Sequence, residues 1–163
     1  MNRRTLTVNV GMAGVAYCLR PQSIRTSGLG SCVGVVVYTA HVAALAHVML
    51  PDSAMSSVLD VNPAKYADTA VPLLAETIHQ RGYHGRKRAK IAGGAHMFPQ
   101  LATVDPLLDI GTRNVAAVRR ALRDENIPIM AEITGGHAGR TIEFFPADQS
   151  LSVRTIHGGT RFY

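Results

Sequence analysis

Short apolar runs alternate with glycine- and proline-rich breaks, and the spacing of the apolar positions changes along the chain. Residues 5–10 and 15–19 are β-leaning and are separated by Gly11 and Gly14, which predicts a pair of short strands. Gly28-Leu29-Gly30-Ser31 is a tight-turn signal. The valine-rich segment 32–38 reads as a buried strand, 39–41 as a turn and 42–50 as the returning strand of an antiparallel hairpin. Residues 51–63, rich in Ser, Asp, Asn and Pro, form an exposed loop of the length that often carries function. A helix follows. Asn62 can cap it and Pro63 suits its first turn, and Ala67, Ala70, Val71, Leu74, Ala75 and Ile78 recur at helical spacing. Pro72 inside this pattern predicts a kink or a late start, and Gly82 can end the helix. A short strand at 90–92 runs into Gly93-Gly94. A second helix covers 112–125, with Val115, Val118 and Leu122 on its inner face. Residues 128–134 form another strand before Gly135-Gly136, and 140–145 with 151–156 make a hairpin around 146–149. Strands gather at both ends of the chain with helices between them. That order predicts an α+β fold, a compact sandwich of antiparallel-rich sheets with two main helices, over a regularly alternating parallel sheet.

Composition narrows the function classes. At 163 residues the chain is expected to form one domain, 1–163. Hydrophobic residues make up 47% and charged residues 17%, which excludes a disordered chain. The longest apolar runs fall well short of the roughly 20 residues of a membrane span. Asn9, Gly11 and Gly14 interrupt the segment after the basic start, so no secretory leader and a cytoplasmic protein are expected. The net charge of +6 permits an acidic partner. Nucleic acid is not expected: aromatics are 6%, Trp is absent, and the clusters at 86–88 and 119–120 read as solvated surface. Two cysteines, Cys18 and Cys32, are too few for a disulfide scaffold and lack metal-site spacing, so free thiols, no metal and no cofactor are expected.

One of those thiols stands in a suggestive place. Gly28-Leu29-Gly30-Ser31-Cys32 puts Cys32 directly after a glycine turn and at the head of a buried strand. Glycines open backbone angles closed to other residues and let a substrate approach the main chain. Backbone N–H groups in such a turn, around Gly30 and Ser31, can converge as an oxyanion hole. His47 lies on the returning strand, and a hairpin turning near residue 40 puts it roughly opposite Cys32, at cross-strand distance. Such an imidazole would hold the thiol as thiolate and later protonate a leaving group. The plainer alternative is that Cys32 is a core thiol and His47 a hydrogen-bonded core histidine. Cys18, with no glycine turn and no paired histidine, reads as core.

The motifs around these residues resemble the CheD family, the chemoreceptor glutamine deamidases of bacterial and archaeal chemotaxis. The matching segments include Thr26-Ser27-Gly28-Leu29-Gly30-Ser31-Cys32-Val33, Leu45-Ala46-His47-Val48-Met49-Leu50-Pro51-Asp52-Ser53 and Lys90-Ile91-Ala92-Gly93-Gly94-Ala95-His96-Met97-Phe98. Ile110-Gly111-Thr112-Arg113-Asn114-Val115 and Ala131-Glu132-Ile133-Thr134-Gly135-Gly136 follow in family order, so the resemblance covers roughly 7–157. It implies a sandwich fold like the catalytic domain of the cytotoxic necrotizing factor toxins. It implies a Cys–His–Thr triad mapping onto Cys32 as nucleophile, His47 as base and acid, and Thr26 as the residue orienting the imidazole. It implies methyl-accepting chemoreceptors as substrate and, in some organisms, a CheC-type phosphatase as partner. The sequence departs from the family pattern at Pro72 and at His96. His96 and His137 each follow a Gly-Gly pair and are the rivals to His47 as base, or else simple loop residues. A regulatory module that docks receptor or phosphatase with weak or no catalysis is the competing function, and the same thioester chemistry would also serve ester hydrolysis or transglutamination.

Overall fold

The computed structural model describes residues 6–59, 61–98, 100, 105 and 108–163. The strands are β1 (Thr7–Val10), β2 (Val15–Leu19), β3 (Ser23–Leu29), β4 (Val33–Tyr38), β5 (Val42–Val48), β6 (Arg88–Gly93), β7 (Ile129–Thr134), β8 (Arg140–Phe145), β9 (Ser150–Thr155) and β10 (Gly159–Phe162). The helices are α1 (Ala67–Gln80) and α2 (Ile110–Asp124). The strands form two five-stranded sheets, in the orders β1-β3-β8-β9-β10 and β2-β5-β4-β6-β7. This is the expected α+β sandwich.

The second sheet is buried on both faces, which is why β4 and β5 are apolar at nearly every position. Alternation sends Val33, Val35, Val37, Ala44, Ala46 and Val48 to one face, against Val71, Leu74 and Ile78 of α1 and Val115, Val118 and Leu122 of α2. It sends Val36, Tyr38, Ala43 and Leu45 to the other, against Ile24, Leu29, Ile142, Phe144 and Leu151 of the first sheet. The Val, Leu, Ile and Phe side chains among them contribute about 1.5–3 kcal/mol each when fully buried. The layers run helices, sheet, sheet.

Several elements differ from the sequence expectation. The residues 5–10 and 15–19 become β1 and β2 but do not pair with each other: β1 runs parallel to β3, and β2 antiparallel to β5 in the other sheet. Thr5 lies outside the described residues. Asn62 caps a single 3-10 turn, Pro63–Lys65, through Ala64 N–H, and α1 starts afterwards at Ala67. The helix runs through Pro72, whose ring is exposed. β3 and β10 were not expected at all.

Candidate active site

Thr26, Cys32 and His47 come from β3, the β3–β4 turn and β5. β4 and β5 pair as an antiparallel hairpin in which Val33 faces Val48 and Gly34 faces His47. Cys32 therefore falls across from residue 49. The direct Cys32–His47 pairing expected from a turn near residue 40 is off by two: paired residue numbers in this hairpin sum to 81, and a direct pairing needs 79. The two are diagonal neighbours, which separates their Cα atoms by about 7–8 Å. Alternation still puts Cys32, Gly34 and His47 on the same face, and Cys32 packs against the core between the sheets. Gly34 stands directly across from His47, and the space above it is filled by Ile142 and Leu29 of the first sheet.

His47 is fully buried and reaches across the sandwich to the other sheet. The Thr26 hydroxyl donates its one proton to the Val10 carbonyl at 2.7 Å. Toward His47 Nδ1, at 2.8 Å, that oxygen is left as an acceptor. Nδ1 therefore carries the imidazole proton and Nε2 carries the lone pair. Nε2 is buried without a hydrogen-bond partner among the described residues. An unsatisfied buried acceptor costs about 1–3 kcal/mol and calls for a functional explanation. Burial lowers the His47 pKa below its ordinary 6.5, so the ring is a neutral base.

Cys32 is partly exposed, whereas Cys18 is fully buried. Burial raises the Cys32 thiol above its ordinary value, and a contact from its own backbone N–H works in the opposite direction. Burial pushes Cys18 up to about 11, which makes it the inert thiol. Burial thus favours the neutral forms, a thiol at Cys32 and an imidazole at His47, and the structure does not join the two by a hydrogen bond.

Cys32 opens onto a cleft of about 220 Å³ whose walls include Met49, Leu50, Met97, Phe98 and Leu108. His96 and Asp109 supply polar groups there, joined Nδ1 to Oδ2 at 2.9 Å. Of the two rival histidines, His96 lines this cleft, and His137 is exposed and donates from Nδ1 to the His96 carbonyl at 3.2 Å. A wider hollow of about 690 Å³ along α2 and β7 has neither cysteine nor histidine in its walls.

The glycine turn works differently from the expectation. Gly28 has φ +71 and sits at a β-bulge between Thr26 and Leu29. Gly30 is not open to a substrate: Met97 lies over it, 3.2 Å from where a Cβ would stand, and its N–H donates to the Gly28 carbonyl. The Gly30 N–H is thus engaged and covered, which counts against it as an oxyanion donor. Gly93, with φ +118, leaves room for the Cys32 carbonyl, which a Cβ would strike. One contributor was missed. Asn114, fully buried on the inner face of α2, donates from Nδ2 to the carbonyls of Ser31 and Met49, each at 2.9 Å. The signal was available: an amide at an apolar helical position, four residues before Val118.

Among the described residues no set of three or more His, Cys, Asp and Glu side chains is placed to hold a metal, and no helix is long and apolar enough to cross a membrane.

Comparison with known proteins places this geometry in a lineage. Residues 49–155 match the family model described as CheD chemotactic sensory transduction. That span starts beyond His47, so the case for Thr26, Cys32 and His47 is geometric. Full-length relatives extend the match. The chain is 50% identical over 157 residues to the chemoreceptor glutamine deamidase CheD of Halalkalibacterium halodurans, covering 94% of this chain and 96% of that one. It is 48% identical over 162 residues to the protein of that name from Bacillus licheniformis, covering 98% and 96%. The corresponding figures for the Bacillus subtilis protein are 47% over 161 residues, 96% and 95%. With identity this high over nearly the whole of both chains, the chain belongs to the CheD family.

Proposed function

We propose that this protein deamidates glutamine side chains of methyl-accepting chemoreceptors to glutamate, with Cys32 as nucleophile, His47 as acid and base, and Thr26 orienting the imidazole. The observation that carries the reading is the Thr26–His47 bond, which leaves a buried, unpartnered Nε2 lone pair on the face where Cys32 sits. The names of the full-length relatives give the substrate class.

The steps follow from that tautomer. His47 Nε2 takes the Cys32 thiol proton as sulfur bonds to the carboxamide carbon. The tetrahedral intermediate collapses, and nitrogen leaves as ammonia with the proton from His47. Water then adds to the thioester, again losing a proton to His47. The carbon–sulfur bond breaks, the thiol is reprotonated and glutamate is released. General acid–base assistance of this kind is worth about 10²–10⁴-fold. The reading places the protein in the cytoplasm with the receptors' signalling regions and admits a CheC-type phosphatase as regulator.

The test is mass spectrometry of a glutamine-containing chemoreceptor fragment incubated with the protein. Conversion by the wild type and none by Cys32→Ala is expected. Conversion at the wild-type rate by Cys32→Ala removes the proposal.

A further inference from the structure

Three consecutive carbonyls in the nucleophile turn are tied to the protein behind them. Gly30 accepts from Ala95 N–H at 2.8 Å and Cys32 from Gly94 N–H at 2.9 Å. Ser31, between them, accepts from Asn114 Nδ2 at 2.9 Å. The outer two donors are main chain, which this fold supplies whatever the side chains. The middle one depends on a single residue.

The Ser31 carbonyl matters because of the peptide it belongs to. In a planar trans peptide the N–H points opposite to the C=O of the residue before it. Asn114 draws the Ser31 carbonyl toward α2, on the helix side of the sheet. The Cys32 N–H is thereby turned away from α2, toward the face between the sheets. Cys32 packs on that face and His47 stands there. The contact between the Cys32 N–H and its own sulfur fits the same orientation.

Asn114 does a second thing with its other amide proton. It holds the carbonyl of Met49, two residues past His47, at 2.9 Å. One amide group thus fixes the turn that carries the sulfur against the strand that carries the imidazole. Its Oδ1 is buried with no partner among the described residues, so the amide is kept at a cost its own packing does not explain.

We propose that Asn114 is a positioning residue for the deamidation, holding the Ser31–Cys32 peptide so that the Cys32 N–H donates to the oxyanion of the tetrahedral intermediate. The inference rests on the active-site reading above and goes beyond it in assigning the oxyanion donor and what aims it. Asn114 itself touches no reacting atom.

The experiment compares Asn114→Ala and Asn114→Ser with Val118→Ala, which opens a cavity on the inner face of the same helix without touching the turn. The Asn114 variants should lose about 10²-fold in kcat with KM changed by less than about twofold, since an oxyanion contact forms only in the transition state. Their profile of Cys32 alkylation against pH should also move to higher pH, because the N–H no longer faces the sulfur. Val118→Ala should lower Tm and leave kcat and the alkylation profile at parental values. Asn114→Ala that is folded, with parental kcat and alkylation profile, overturns the proposal. Cys32→Ala is assayed alongside: if it retains activity the active-site reading has failed, and if it is inactive while Asn114→Ala is parental only the present inference has. Should neither Asn114 variant fold, the wild-type protein answers by NMR. A peptide carrying glutamate semialdehyde adds the Cys32 thiol across its C=O, forming a C–S bond and an O–H. The Cys32 amide proton should then move downfield, and an unmoved signal overturns the proposal.

Discussion

Replacing Thr26 by valine keeps the shape of a residue that is 2% exposed and removes one oxygen. That oxygen serves two partners, the Val10 carbonyl and His47 Nδ1–H. Both are left in an interior with no replacement in reach. Each unpaired group costs about 1–3 kcal/mol. Part of that appears as stability, about 2–4 °C in Tm per kcal/mol for a chain of this size. The catalytic part comes from His47. Without an acceptor at Nδ1, the ring no longer favours the form with its lone pair on Nε2. If the productive tautomer and orientation lose the same 1–3 kcal/mol, kcat falls by about 5- to 150-fold. Ammonia release from a chemoreceptor fragment, measured below the Tm of the variant, reads this directly. Thr26→Ser retains the hydroxyl and should keep most of the activity. Full kcat in Thr26→Val, or equal losses in the serine and valine variants, would refute the tautomer reasoning.

Alkylation by iodoacetamide near neutral pH should label Cys32 well ahead of fully buried Cys18, and peptide mapping will show it; faster labelling of Cys18 would reverse the assignment. The acid limb of kcat/KM should lie below pH 6.5, since burial lowers the His47 pKa from that value and the base form persists into more acidic solution. The sign for stability follows: the unfolded chain binds the His47 proton more readily than the folded one, so this contribution is complete above pH 6.5 and is lost as the pH falls below it, which melts across pH 5–8 will report. Gly93→Ala places a methyl group against the Cys32 carbonyl at a φ of +118, so the turn must move, and activity should drop at least about tenfold even where circular dichroism shows a folded protein.

The fold was legible where burial left a periodic trace. β4 and β5, covered on both faces, stand out as apolar runs, and α2 shows its inner face at Val115, Val118 and Leu122. β10 left no trace because all four of its residues are exposed. β3 was hidden by a different cause. Its buried positions include Ser23 and Thr26, polar side chains satisfied by partners from β8 and β1 that the local sequence does not reveal. The family resemblance named Thr26 while the strand carrying it stayed invisible. The Cys32–His47 register was legible to within two residues, and an offset of two, unlike an offset of one, leaves each side chain on the face expected for it. Helical spacing marks Asn114 as an amide on the inner face of α2, but its partners are main-chain carbonyls on remote segments, which spacing does not identify.

The architecture explains why so small a site needs the whole sandwich. His47 belongs to one sheet and the threonine that sets its tautomer to the other, so the Thr26–His47 bond forms only when the two sheets are packed together. The sulfur lies on the turn that carries the chain from the first sheet into the second. Behind that turn, the N–H groups of Gly94 and Ala95 and the side chain of Asn114 hold its carbonyls. The imidazole is held from one side of its sheet by Thr26, and the Cys32 turn is tied from the other by Asn114. Burial of both groups favours a neutral thiol and a neutral imidazole. In the proposed mechanism, charge separation waits until a carboxamide enters and oriented N–H groups can take up the negative charge, the condition under which a preorganised site accelerates the attack.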